Sequence, residues 1–133
     1  MAAAEELVNI ARTAARYAHT PYSGFHVGAA VLFTGSAQVY VGCNVENASY
    51  GLTICAERVA VCSGIAAGCK EITAIAIAVL DANKQPRAGF MPCGACRQFL
   101  AEFSTDKTQV IVDNCGTWYL HELLPHAFGL SHG

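Results

Sequence analysis

Apolar residues recur at helical spacing near the start of the chain, where Leu7, Ile10, Ala11, Ala14 and Ala15 fall on one stripe. That period predicts an amphipathic helix over Glu5 to Tyr17, stopped before Pro21. Two β-rich runs follow, His26 to Phe33 and Val39 to Asn44, and the Gly35-Ser36-Ala37-Gln38 break between them predicts a hairpin. A second helix is expected from near Cys55 to Gly68. Ile72 to Leu80 is apolar without interruption, the pattern of a strand covered on both faces. Beyond the Asn83-Lys84-Gln85-Pro86 turn, a third helix is expected over Cys93 to Phe103 and a strand over Gln109 to Asp113. Asn114-Cys115-Gly116 then reads as a tight turn into Thr117 to Leu120, a last strand antiparallel to its predecessor.

The order ββαβαβ predicts an α/β fold, a mostly parallel sheet with helices on both faces. No linker, repeat or low-complexity tract interrupts residues 1–133, so one domain is expected. Composition adds a constraint. With 53% hydrophobic and 14% charged residues the chain is apolar for so small a domain, and a subunit interface is the natural sink for the excess. Net charge is −2 and the eight Lys and Arg are scattered, so the basic stripe that a polynucleotide requires is missing and a small substrate is expected instead. Met1-Ala2-Ala3-Ala4-Glu5-Glu6 has no basic stretch leading into an apolar core, so no secretory signal is expected. The longest apolar run, Ile72 to Leu80, is far short of the roughly 20 residues of a spanning helix, and no membrane partner is expected. Seven cysteines without such a signal predict reduced thiols in the cytoplasm, with Cys43, Cys62, Cys69 and Cys115 as bystanders.

Two short runs carry the chemistry, Cys55-Ala56-Glu57 and Pro92-Cys93-Gly94-Ala95-Cys96. Together they offer three thiolates and one carboxylate to a single ion. A closed structural zinc site takes four protein ligands, whereas three leave the fourth tetrahedral position for a water, so Cys55, Cys93 and Cys96 describe a catalytic Zn²⁺ centre. Both runs fall at predicted helix starts, where free N–H groups and the positive dipole end favour thiolates. Glu57 is then free to move protons, provided that Cys55 stands at or before the first helical position, because residues two apart on a regular helix diverge. The alternative for Glu57 is a charge favoured by the helix dipole. Zn²⁺ with three thiolates totals −1, which acidifies water poorly. Arg58, one helical turn from Cys55, is the candidate to draw charge from the sulfurs; a solvated surface cation is its alternative reading. Asn44 and Glu46 lie two apart at a strand end and project to one face, an amide and a carboxylate suited to ribose hydroxyls or, alternatively, to turn chemistry. A carboxylate at the sugar repels phosphate, which favours nucleosides over nucleotides.

The paired runs resemble the zinc nucleobase deaminase signature, a ligand followed two residues later by Glu and then by Pro-Cys-x-x-Cys. The flanking segments extend the resemblance to cytidine deaminases. Besides Cys55-Ala56-Glu57-Arg58 and Pro92-Cys93-Gly94-Ala95-Cys96-Arg97-Gln98, the chain carries Pro21-Tyr22-Ser23-Gly24-Phe25-His26-Val27-Gly28-Ala29-Ala30, Asn44-Val45-Glu46-Asn47 and Glu122-Leu123-Leu124-Pro125-His126-Ala127-Phe128, in the family's order. The resemblance implies a three-layer α/β/α cytidine deaminase-like fold around a five-stranded mixed sheet with its last strand antiparallel. It also implies a homotetramer with shared active sites, and zinc-dependent hydrolytic deamination of cytidine and 2'-deoxycytidine to uridine and 2'-deoxyuridine with release of ammonia, as in pyrimidine salvage. Glu57 would shuttle protons between water, ring N3 and the departing amine. Arg58 would donate to the ligand sulfurs, with Gln98 orienting it. Phe25, Asn44 and Glu46 would line the base and ribose pocket, the Ala56 N–H would meet the pyrimidine 2-oxo group, and Tyr50 and Phe128 would come from a neighbouring subunit. A deaminase of another aminated pyrimidine such as blasticidin S is the nearest alternative, and Asn44-Val45-Glu46-Asn47-Ala48-Ser49-Tyr50 favours the nucleoside enzyme. Two more distant readings are a redox pair at Cys93 and Cys96, and a zinc-stabilised binding module taking a fourth ligand from His19, His26, His121, His126 or His132.

Overall fold

The computed structural model of the chain describes residues 4–130; Met1 to Ala3 and His132 lie outside the described residues. The elements are α1 (Ala4–Ala15), β1 (His26–Phe33), β2 (Val39–Cys43), α2 (Ala56–Ala66), β3 (Ile72–Leu80), β4 (Pro86–Arg87), α3 (Gly94–Ala101), β5 (Ser104–Val112), β6 (Gly116–Tyr119) and α4 (Leu120–Leu123). A short 3₁₀ turn, Tyr50–Leu52, precedes α2. The main path of the sheet runs β2-β1-β3-β5-β6, the expected five strands, and the two-residue β4 adds a sixth at the end of β3.

The expectation of a mostly parallel sheet is corrected. Among the strands of the described residues only β3 and β5 pair in parallel, from Ile72↔Ser104 to Ile77↔Val112, and every other strand pairing is antiparallel. The physical reason lies in the first crossover. The β2-α2-β3 connection does join strands of one direction, but β1 lies between them as the antiparallel partner of both. The β3-α3-β5 crossover returns to an adjacent position, so that one pair is parallel. β6, after the Asn114-Cys115 turn, is antiparallel to β5 as expected.

Three layers follow from the alternation of side chains across the strands. Ala30 and Leu32 of β1, Ala74, Ala76 and Ala78 of β3, and Ile111 of β5 pack with Leu7 and Ala11 of α1. On the other face Ala29, Val31 and Phe33 join Ile75, Ile77, Val110 and Val112 against Ala56, Ala60 and Val61 of α2 and Leu100 of α3. The uninterrupted apolar run of β3 thus resolves into an alanine stripe under α1 and an isoleucine stripe under α2 and α3. Small side chains let α1 approach closely, and a Cβ on Gly28 would collide with the Ala11 carbonyl and the Ala15 N–H. Gly42 of β2 does the same for α2, where a Cβ would stand 2.6 Å from the Ala56 carbonyl oxygen. The start of α2 is thereby seated directly on the sheet.

Candidate active site

Cys55 and Cys93 are the N-cap residues of α2 and α3, both with extended backbone (φ −73°, ψ 150° and φ −65°, ψ 167°). Cys55 therefore precedes the first helical residue, the condition under which it and Glu57 address one centre. No side chain caps either helix, so their first-turn N–H groups remain available to an anionic or ligated group at that end. The sulfurs of Cys55, Cys93 and Cys96 lie within 4.8 Å of one another. A tetrahedral zinc with Zn–S of about 2.3 Å sets its sulfurs roughly 3.8 Å apart, so the trio fits the ion in both donor type and spacing. No histidine joins this cluster among the described residues.

The electrostatics follow from burial and from the crowding of three thiols. Hydrogen bonding with Cys96, helped by Arg58, draws the Cys55 thiol down to about 5. The same bond, with burial, pushes Cys96 up. Without a cation the sulfurs thus share protons, and a divalent ion among them would ionise all three. Arg58 Nη2 lies 3.7 Å from the Cys55 sulfur and 3.5 Å from the Thr53 carbonyl oxygen, which puts a positive charge beside the ligand set. Glu57 is only 5% exposed, and burial pushes its carboxyl up to about 7. Such a group exchanges protons readily near neutral pH.

A cavity of ≈270 Å³ opens beside these groups, with Cys55, Ala56, Glu57 and Cys93 in its wall together with Asn44 and Thr53. Val27, Ile54, Ile77, Phe90 and Met91 supply an apolar remainder suited to a flat ring. It lies toward the carboxyl ends of the parallel strands β3 and β5, where α/β sheets open their crevices. Phe90 and Met91 come from the loop between β4 and α3. That loop is pinned where Gly89 N–H donates to the Asp113 carbonyl (2.7 Å) and the Cys115 thiol donates to the Gly89 carbonyl (3.3 Å). Asp113 is itself gripped by Arg12 of α1, through Nε (2.6 Å) and Nη2 (2.8 Å).

The other predicted site residues distribute less simply. Asn44 lines the cavity, but its amide braces the start of β1, accepting from Val27 N–H (2.8 Å) and donating to the Phe25 carbonyl (3.0 Å). Glu46 is not on the same cavity wall as Glu57. Its carboxylate accepts from the N–H groups of Tyr22 (3.0 Å) and Ser23 (3.1 Å) and from the Ser23 hydroxyl, and that hydroxyl above all holds it below the usual carboxylate range. It borders a second cavity of ≈390 Å³ with Tyr22, Ser23 and Tyr50, and Thr53 borders both spaces. Phe25 is not among the residues lining either cavity; its ring meets Phe90 edge-on at 5.6 Å, and the Arg87 guanidinium lies 5.1 and 5.2 Å from the two ring centres. Tyr50 and Phe128, 89% and 71% exposed, do not line the inner cavity of their own chain.

Gln98 makes no direct hydrogen bond to Arg58 among the described residues. Its amide donates to the Phe128 carbonyl (2.9 Å) and accepts from the Phe128 N–H (3.0 Å). The neighbouring Arg97 donates to the carbonyls of Pro92 and Leu123, each at 2.8 Å. Sequence reasoning also passed over Thr53, Phe90, Met91 and Arg87. The available signal was two large apolar residues stranded between Gly89 and Pro92, immediately before a ligand cysteine.

Known proteins match this arrangement. The family model described as the cytidine and deoxycytidylate deaminase zinc-binding region matches residues 1–112. The probable cytidine deaminase of Dictyostelium discoideum is 40% identical over 126 residues, covering 93% of this chain and 82% of that protein. The cytidine deaminase of Halalkalibacterium halodurans is 43% identical over 126 residues, covering 92% and 91%. Among solved structures, cytidine deaminase from Burkholderia pseudomallei superimposes with a TM-score of 0.84 at 38% identity, covering 96% of this chain and all of that one (100%). Cytidine deaminase from Mycobacterium tuberculosis gives a TM-score of 0.81 at 40% identity, covering 98% and 100%.

Proposed function

The chain belongs to the cytidine and deoxycytidylate deaminase family of zinc enzymes, and from that membership we propose that it converts cytidine and 2'-deoxycytidine, with water, to uridine and 2'-deoxyuridine and ammonia. The observation that carries this reading is the meeting of three cysteine sulfurs and a buried, protonatable Glu57 at one ring-sized cavity. When bound by Cys55, Cys93 and Cys96, zinc supplies an acidified water as the nucleophile for C4 of the ring. Glu57 takes a proton from that water, delivers it to ring N3, and later protonates the departing amine, one carboxyl acting as base and then as acid. Arg58 withdraws charge from the Cys55 sulfur. The Ala56 N–H, in the uncapped first turn of α2, donates to the 2-oxo group.

With the base in the inner cavity, the sugar extends past Thr53 toward the second space. Asn44, on the wall of the inner cavity, retains one amide N–H, and Glu46, at the second space with three of its roughly four acceptor positions filled, retains one for a ribose hydroxyl. Phe25 acts through Phe90, which forms the wall. The exposure of Tyr50 and Phe128 supports a shared site, each reaching a neighbouring subunit's cavity within a homotetramer. The whole of residues 1–133 forms one catalytic domain in this reading, working in the cytoplasm on free nucleosides and not on nucleic acid.

The test is incubation of the zinc-loaded protein with cytidine. One uridine and one ammonia should form per cytidine lost, while cytidine monophosphate and cytosines in single-stranded DNA react poorly. Activity on blasticidin S without activity on cytidine would overturn the proposal.

A further inference from the structure

The C-terminal segment beyond α4 has no regular secondary structure up to Phe128, yet α3 holds the chain on either side of it, at the last residue of α4 and at Phe128. Arg97 grips Leu123 through its carbonyl, and Gln98 grips Phe128 through both backbone groups. Those two bonds are the only hydrogen bonds of the Phe128 backbone among the described residues. A primary amide offers a donor and an acceptor side by side, so Gln98 pairs with Phe128 as a second peptide would, fixing the position and direction of its backbone. The ring so fixed remains 71% exposed. An exposed aromatic ring on a backbone held in this way buries little apolar surface for its own chain. The arrangement is explained if the ring is presented to something else. The helix that does the holding also carries Cys93 and Cys96, and Arg97 braces Pro92 just before them.

We propose that Gln98 is a positioning residue for Phe128, presenting that ring to the cavity of a neighbouring subunit from the same helix that holds two ligand sulfurs of its own. The proposal rests on the shared-site reading above. It gives Gln98 a role in substrate affinity and none in metal binding or proton transfer.

The experiment compares wild type, Gln98→Glu, Gln98→Met, Phe128→Ala and the Gln98→Met/Phe128→Ala double variant as zinc-loaded native oligomers, measuring kcat and KM for cytidine and zinc per chain. Gln98→Glu keeps the shape but loses the donor; Gln98→Met loses both bonds without adding charge. Phe128→Ala should raise KM about 5- to 150-fold, the range for an aromatic stacked on a base. Each Gln98 variant should raise KM about 5-fold or more, as expected for a lost hydrogen bond, with kcat and zinc unchanged. The double variant should match Phe128→Ala alone, because a clamp without its ring has nothing to position. Normal KM in both Gln98 variants beside an impaired Phe128→Ala overturns the inference and leaves the shared site standing. So do additive KM penalties, or loss of zinc or kcat in the Gln98 variants. A normal KM in Phe128→Ala removes the shared-site reading itself, and this inference with it.

Discussion

Cys55 and Glu57 address one cavity because the first is outside α2 and the second is inside its first turn, a relation that a shift of the helix start by one residue would destroy. The two residues are separable by experiment. Glu57→Gln keeps size and hydrogen-bonding reach but carries no proton, so zinc content should stay near one per chain while kcat falls by about 10²- to 10⁴-fold. Metal loss in that variant would instead make Glu57 a ligand. Cys93→Ser should lose metal and activity together, read by metal analysis beside the deamination assay. At this scale the clustering of Cys55, Cys93 and Cys96 near a buried Glu57 was legible because its signal is local, a few residues with fixed offsets. Glu46, Gln98 and Phe25 were read incompletely because their partners are distant. Glu46 bonds residues 23 and 24 positions away, and Gln98 bonds one 30 positions away, through loops that carry no periodicity.

α2 owes its placement to the absence of a side chain at Gly42, where the chain of β2 passes against the Ala56 carbonyl and the Ala60 N–H. Gly42→Ala should push the start of α2 off the sheet. The expected outcome is a loss of about 1–3 kcal/mol in urea unfolding, the usual cost of overpacking, together with weaker zinc retention because Cys55 moves with the helix. Unchanged stability and zinc would show that the helix start is free to shift. Most elements were readable from period alone: the apolar stripe of α1, the hairpin of β1 and β2, and the continuous apolar run of β3 all appear where expected. Strand direction was not readable. Hydrophobic period reports which face is buried but not which strand lies alongside, so nothing in it revealed that β1 separates β2 from β3. The early start of β5 was missed for a related reason, since Ser104 to Lys107 are polar and mostly exposed.

Across the whole molecule, the shared-site reading makes a quantitative forecast. Glu57→Ala and Phe128→Ala chains, each weakly active alone at low cytidine, should recover activity when mixed and allowed to exchange. Random equal assembly pairs an intact Glu57 with a neighbour's intact Phe128 in roughly a quarter of the sites. Verified exchange without recovery would confine Phe128 to its own chain. Zinc should also stabilise the fold as any native-state ligand does: chelation should lower stability by about 4 kcal/mol per site where free zinc had stood about a thousandfold above its Kd. The order of the ligands along the chain gives this linkage a direction in time. Cys55 leaves the ribosome before β3, and Cys93 and Cys96 only after it, so the nascent chain holds a single ligand sulfur until the central strand has been made. If all three sulfurs hold the ion, metal uptake is expected late in biogenesis, and a ribosome-stalled chain ending before Cys93 should retain no zinc at this site.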